Sequence, residues 1–213
     1  MIKLLVVEDH HLVRVGLRGI LDDAPGIDVV GEAENGEQAL AMTRSLKPDV
    51  ILMDISLPGM SGFEISDRIL RQDPEVRIIV LTAYTQPPYP ARLLDMGVSG
   101  FLTKACEAEE LVRAIRTVHV GGRHIGKDVA QQLAMALLPG APRSPFQSLT
   151  PREMEVALML ADGRRVNDIA SLMNVSPKTI ATHKYRIYDK VGVDSEVALL
   201  REAIRHDLIE AGT

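Results

Sequence analysis

Tryptophan is absent from this sequence and aromatic residues make up only 3% of it, so its hydrophobic cores must be aliphatic. A single cysteine, Cys106, excludes an internal disulfide and any multi-cysteine zinc site, and reads as a small residue near a helix start. No apolar run is long enough to cross a membrane. The N-terminal MIKLLVVEDHH is too short for a signal peptide, so a cytoplasmic protein with no membrane partner is expected. Nor is there an excess of positive charge, the formal net charge being -5. What is present is 213 residues at 46% hydrophobic, enough for two domains with a core each.

The charge is unevenly spread. Residues 1–120 hold 12 Lys+Arg against 18 Asp+Glu, residues 121–148 hold 3 against 1, and residues 149–213 hold 9 against 10. Within the last region, Ser176 to Lys190 carries Lys178, Lys184, Arg186 and Lys190 against Asp189 alone, so any nucleic-acid contact should be local to that segment.

Over the first 120 residues, short β-branched and Leu-rich runs alternate with helical periodicities. Strands are expected at Lys3–Val7, Asp28–Ala33, Val50–Met53, Arg77–Leu81 and Gly100–Leu102, with helices between them and a last one over Ala108–His119. Five strands alternating with five helices predict an α/β fold, a doubly wound five-stranded parallel sheet. Val50–Met53 is an unbroken apolar run, as a strand buried on both faces should be, and it delivers Asp54 to the carboxyl edge, where such sheets place their chemistry.

Other strand ends carry reactive groups too: Glu8 and Asp9, Thr82, and Lys104. Three carboxylates brought together repel one another unless a divalent cation sits between them, and Mg²⁺, which takes carboxylates, waters and phosphate oxygens, fits. Lys104 and Thr82 supply the two donors that a phosphoryl group on Asp54 would need. His10 and His11 follow the acidic pair, but Mg²⁺ prefers oxygen and a helix-start role is the expectation for both.

This set, with GFLTK around Lys104, resembles the receiver domain of two-component response regulators. The resemblance implies that Asp54 accepts a phosphoryl group from a sensor histidine kinase, with Thr82 and Lys104 assisting. It implies Mg²⁺ held by Asp9 directly, Glu8 through water, Asp54 and the Ser56 backbone carbonyl. It also makes Thr82 and Phe101 the switch pair, Phe101 standing where Tyr is commoner and Ala105 where many receivers have Pro.

Gly121 and Gly122 break the fifth helix, a short helix is expected over Lys127–Leu138, and the prolines from Pro139 to Pro145 mark a boundary. The expected domains are therefore 1–120, a linker with a short helix over 121–147, and 148–213. In the last, Thr150, Pro151 and Glu153 form a helix start with a capping box, and Ser176 with Pro177 caps another helix after a short one and a tight turn. That is a helix-turn-helix in an all-α domain. Ile180, Ile187 and Val191 fall on one side of the second helix, which leaves Lys178, Thr179, Thr182, His183, Lys184 and Arg186 as candidates for DNA.

LTPREMEV, NDIASLMNVSPKTIATH and KVGV resemble the LuxR/FixJ/NarL-type DNA-binding domain. Ala181 stands where that family usually has a base-reading Lys or Arg, so base contact is expected from Thr182 or Tyr185, with Lys178, Lys184 and Arg186 on phosphates. SPKTIATHKYRIYDKVGV, PFQSLT and TQPPYPARLLDMG look closest to the GacA/UvrY-like branch, which implies a hybrid sensor kinase and a phosphorelay. The family implies a homodimer on double-stranded promoter DNA, supported by Lys190 and the last helix. Two other readings stay open from sequence: a Mg²⁺-dependent phosphatase or phosphotransferase with Asp54 as a turning-over nucleophile, and a receiver whose second domain no longer binds DNA.

Overall fold

The computed structural model describes residues 1–55, 57–58, 60, 62–82, 89–136, 144–206 and 208–209, with the side chains of residues 89, 91, 92, 136 and 151 left aside. These residues group into two compact units: the first holds the sheet and runs to Leu133, apart from Tyr89, which groups with the second, and the second otherwise takes up the chain from Ala134.

In the first unit the strands are β1 (Ile2–Val7), β2 (Ile27–Ala33), β3 (Val50–Met53), β4 (Arg77–Thr82), β5 (Gly100–Thr103) and β6 (His124–Ile125). All pairings are parallel, in the order β2-β1-β3-β4-β5-β6. The helices are α1 (His11–Asp22), α2 (Gly36–Leu46), α3 (Gly62–Gln72), α4 (Tyr89–Met96), α5 (Ala108–His119) and α6 (Lys127–Ala136). Every residue of β3 is buried, as its unbroken apolar run requires. On one side, Leu17 and Leu21 of α1 and Leu111, Ala114, Ile115 and Val118 of α5 pack with Leu4, Val6, Leu52 and Leu81 of the sheet. Burying each such aliphatic side chain contributes roughly 1.5–3 kcal/mol.

The order places β1 between β2 and β3, so the chain reverses its winding there and a crevice opens beyond the carboxyl ends of β1 and β3. The Asp54 N–H donates to the Val7 carbonyl at 2.9 Å, which ties the residue after β3 to the end of β1.

The expected five-stranded sheet is corrected to six. After the Gly121–Gly122 turn, His124 pairs with Gly100 and Ile125 with Phe101. His124 N–H donates to Ser99 O at 3.1 Å and Gly126 N–H to Phe101 O at 2.8 Å. Two residues carry no periodicity to read; the open edge of β5 dictates this strand by offering unpaired carbonyls. Part of the stretch expected as linker therefore belongs to the first unit, and α6 begins there.

The second unit comprises a 3-10 turn (Pro145–Ser148) and helices α7 (Pro151–Ala161), α8 (Val166–Leu172), α9 (Pro177–Val191) and α10 (Glu196–Arg205). Phe146, Leu149, Val156, Leu160, Ile169, Ile180, Ile187 and Leu199 form its aliphatic core, with Phe146 as the one ring. Leu158 and Met159 of α7 are only half-buried. Asn174, at φ +50°, turns the chain between α8 and α9. Ser176 accepts from Thr179 N–H at the start of α9, and left-handed Gly192 ends it.

The capping box forms as its spacing requires: Thr150 Oγ1 accepts from Glu153 N–H, and Glu153 Oε2 accepts from Thr150 N–H at 2.8 Å. The same Oε2 takes Lys190 Nζ at 2.6 Å, so a buried carboxylate joins α7 to α9. Burial pushes the Glu153 pKa up, but Lys190 and Thr150 outweigh it and hold the carboxyl below its ordinary 4.5. A lowered folded value stabilises the fold above the unfolded value, and that contribution is lost as pH falls through the folded one. Glu153→Gln, which keeps the cap and removes the charge, should lower the stability of this unit by about 1–2 kcal/mol at pH 7. The gap from wild type should close as the pH of the urea titration is taken below about 4.5; a gap independent of pH would refute the charge pairing.

Candidate functional site

Three carboxylates and one ammonium converge at the crevice between β1 and β3. Glu8 and Asp9 leave the end of β1, Asp54 the end of β3, and Lys104 the end of β5. Lys104 Nζ donates to Asp54 Oδ2 at 2.8 Å and lies 2.7 Å from Glu8 Oε2, while the Glu8 and Asp54 side chains are only 2% and 1% exposed. Burial lowers the Lys104 pKa, but its hydrogen bonds to Asp54 and Glu8 more than reverse this and leave it raised, so the ammonium is charged at neutral pH. Lys104 N–H also donates to Thr82 O at 2.9 Å, which fixes the end of β5 against the end of β4.

One lysine against three carboxylates leaves an excess of negative charge in a nearly dry place, which is costly without a counter-ion. Ligand atoms of Glu8, Asp9, His10 and Asp54 lie within 4.8 Å of one another. Asp9 Oδ1 is shielded from water and faces His10 Nδ1 at 3.0 Å without a well-aligned hydrogen bond, so it can still take a cation. A hard divalent ion that takes carboxylate oxygens fits this donor set, and Mg²⁺ at acidic residues is typical of receiver domains. His10 is the residue before α1 and does not cap it. Its Nδ1 instead lies 3.0 Å from both Glu8 Oε1 and Asp9 Oδ1, with the ring largely exposed.

Thr82 and Phe101, the expected switch pair, are both fully buried: Thr82 ends β4, and Phe101 stands in β5 between Val80 and Ile125. Ser56, expected as a metal ligand through its backbone, lies outside the described residues, as do the prolines at 87 and 88 and the stretch 137–143.

Sequence reasoning passed over Arg14. It occupies the buried stripe of α1 with Leu17 and Leu21, a place where an apolar residue is the rule. Its Nη1 donates to the Glu8 carbonyl at 2.8 Å and to the Asp9 carbonyl at 3.5 Å. Its other nitrogens meet Glu32 at 3.4 Å and Glu34. The signal available in sequence was a lone cation on an otherwise apolar face.

The α9 face in the second unit is graded. Lys178, Thr179, Thr182, Tyr185 and Arg186 are exposed, whereas His183 and Lys184 are half-buried. Lys184 Nζ is 2.5 Å from Glu196 Oε1 and 5.6 Å from the centre of the Tyr188 ring. Burial, reinforced by Arg152 and Arg186 against an opposing Glu153, holds the His183 pKa below its ordinary value. The imidazole is thus neutral at pH 7 and adds no charge to this face.

The model of the response regulator receiver domain matches residues 4–116, and that of the luxR family of bacterial regulatory proteins matches residues 147–203. The chain is 44% identical over 214 residues to response regulator GacA of Pseudomonas aeruginosa, covering 100% of both chains. It is 44% identical to response regulator UvrY of Escherichia coli strain K12, covering 100% of this chain and 98% of that one. Among solved structures it is similar to RcsB from Salmonella enterica serovar Typhimurium bound to promoter rprA in the presence of phosphomimetic BeF3⁻. The identity there is 28% with a TM-score of 0.71, over 94% of this chain and 97% of that one.

Proposed function

Because this chain belongs to the response regulators that join a receiver domain to a luxR-type DNA-binding domain, we propose that Asp54 is its phosphoacceptor and α9 its DNA-reading helix. It is a DNA-binding regulator and not an enzyme with a turnover of its own. The observation that carries the assignment is the Lys104 bridge between Asp54 and Glu8 in a pocket of three carboxylates.

Asp54 attacks the phosphorus of a sensor kinase's phosphohistidine, the P–N bond breaks, and an acyl phosphate remains. Lys104 supports the reading by standing against the Asp54 oxygen, ready to pair with an incoming phosphoryl oxygen. Glu8, Asp9 and Asp54, with the Ser56 carbonyl, would hold Mg²⁺, which when bound neutralises the carboxylates and the phosphoryl group together. Thr82 and Phe101 read the mark from neighbouring strands as a two-state bias of packing.

Lys178 and Arg186 hold phosphates and Thr182 and Tyr185 read bases, all four being exposed on α9. Lys184, Thr179 and His183 flank them. The regulator works as a homodimer on pseudo-palindromic promoter DNA. Its kinase is of the hybrid type that the GacA/UvrY likeness suggests, and its receiver and DNA-binding domains span 1–120 and 148–213, with β6 and the start of α6 packed onto the receiver's edge. No helix among the described residues is long and apolar enough to cross a membrane, in keeping with a cytoplasmic site of action.

Acetyl phosphate with Mg²⁺ should label the parent chain stoichiometrically and leave Asp54→Asn unlabelled; stoichiometric label on Asp54→Asn would remove Asp54 as acceptor. Sedimentation and footprinting of one sample with and without beryllofluoride should show a dimer and a protected site that strengthen together.

A further inference from the structure

Arg14 is a buried cation that touches none of the three site carboxylates. Its side chain is 8% exposed, and its donors reach the backbone carbonyls of Glu8 and Asp9 on one side and the carboxylates of Glu32 and Glu34 on the other. The first pair belongs to the turn after β1, the second to the end of β2 and the residue that follows it. A planar guanidinium presenting five donors is suited to such a fork, and lysine is not.

The turn it holds is also tied by Glu8 itself, whose Oε1 accepts from the His10 N–H at 3.1 Å. Glu8 N–H donates to Ala33 O at 3.0 Å, but Asp9 leads directly into His10 and the start of α1, where no side chain caps the helix. Asp9 Oδ1 itself has no well-aligned hydrogen bond. The Glu8 carboxylate is held directly by Lys104 Nζ at 2.7 Å and by the His10 N–H at 3.1 Å, and the His10 ring lies 3.0 Å from Asp9 Oδ1, whereas Arg14 acts one step back and grips the carbonyls of the peptides that carry both side chains.

We propose that Arg14 is a positioning residue for the metal-binding carboxylates: by anchoring the Glu8 and Asp9 carbonyls to Glu32 and Glu34, it keeps both side chains turned toward Asp54 and thereby sets divalent-cation affinity. The inference rests on the reading of the pocket as the Mg²⁺ site. Outer groups that orient ligands affect metal affinity by about 10–100-fold.

The sign of the effect separates positioning from the alternatives. Were Arg14 only a positive charge near the pocket, neutralising it would tighten the binding of a dication. Were it only a structural ion pair, it would change stability and leave the ion's affinity alone. Positioning alone requires that its removal weaken the ion.

The test is calorimetric titration of the full chain with Mg²⁺, since the absence of Trp removes the usual fluorescence signal. Arg14→Met, close in volume and uncharged, should raise the Mg²⁺ dissociation constant about 10–100-fold. Arg14→Lys, which keeps the charge and loses the fork, should fall between. The initial rate of labelling by acetyl phosphate should return toward the parent's at saturating Mg²⁺ in both. An unchanged or tighter constant in Arg14→Met overturns the proposal. If that variant does not fold, Arg14→Lys decides, and a constant within about twofold of the parent overturns it. A parent chain that binds no Mg²⁺ would remove the reading of the pocket and this inference with it, whereas a parent that binds beside indifferent variants would remove the inference alone.

Discussion

Lys104→Met should lower the rate of labelling by acetyl phosphate about 10²–10³-fold at saturating Mg²⁺, the effect of removing one preplaced donor from a charge that develops in the transition state. The same change should lower stability in EDTA. Glu8 and Asp54 are 2% and 1% exposed, and their shared cation is Lys104. Breaking a buried pair by deleting one partner costs about 3–5 kcal/mol. With Lys104 itself 21% exposed, water can reach the vacated place, so the lower end of that range is expected. Mg²⁺ should then restore more stability to the variant than it adds to the parent, because it meets two buried carboxylates that have lost their shared ammonium. Urea titrations in EDTA and in Mg²⁺ measure the difference, and labelling kinetics measure the rate. Lys104→Arg keeps the charge in another shape and should recover stability more fully than rate. Labelling of Lys104→Met within about threefold of the parent would remove Lys104 from the reaction.

The features legible in the sequence are those that physics writes locally. A strand buried on both faces must be apolar at every position, so Val50–Met53 could be read directly, and with it the place of Asp54. A capping box is a pattern within four residues, and Thr150 with Glu153 forms it. The convergence of Glu8, Asp9, Asp54 and Lys104 followed from topology, because parallel strands deliver their carboxyl ends to one edge.

What escaped was non-local. Lys190 bonds to Glu153, 37 residues earlier, and no spacing rule connects the two. Arg14 finds Glu32 and Glu34 only because β2 folds beside β1. His10, expected only at a helix start, turns its ring onto both neighbouring carboxylates. The sixth strand arises from an open sheet edge and not from its own two residues.

Gly62→Ala should act on the same aspartate from the opposite side, through the backbone. Gly62 opens α3 and donates its N–H to Ile55 O at 3.0 Å, which closes the loop after β3. A methyl group at Gly62 would stand 2.2 Å from the Asp54 carbonyl oxygen and 2.7 Å from Ile55 Cα. Neither atom belongs to a flexible side chain, so the start of α3 must retreat or the Asp54 peptide must rotate. Gly62 is not among the glycines of positive φ; it is required by close approach and not by conformation. Overpacking of this kind costs about 1–3 kcal/mol. The larger effect should be chemical. Asp54 meets Lys104 at 2.8 Å, and an ångström of misplacement at a reacting group can cost roughly 100-fold in rate. Gly19→Ala in α1 is the matched control, since nothing lies within 4 Å of its new methyl and a helix interior favours Ala over Gly by about 0.5–1 kcal/mol. One glycine-to-alanine change should therefore stabilise the receiver with labelling intact, while the other destabilises it and labels about 100-fold more slowly. Equal labelling by the two variants would mean that the Asp54 peptide tolerates displacement, and that the close packing of α3 against it serves only the fold.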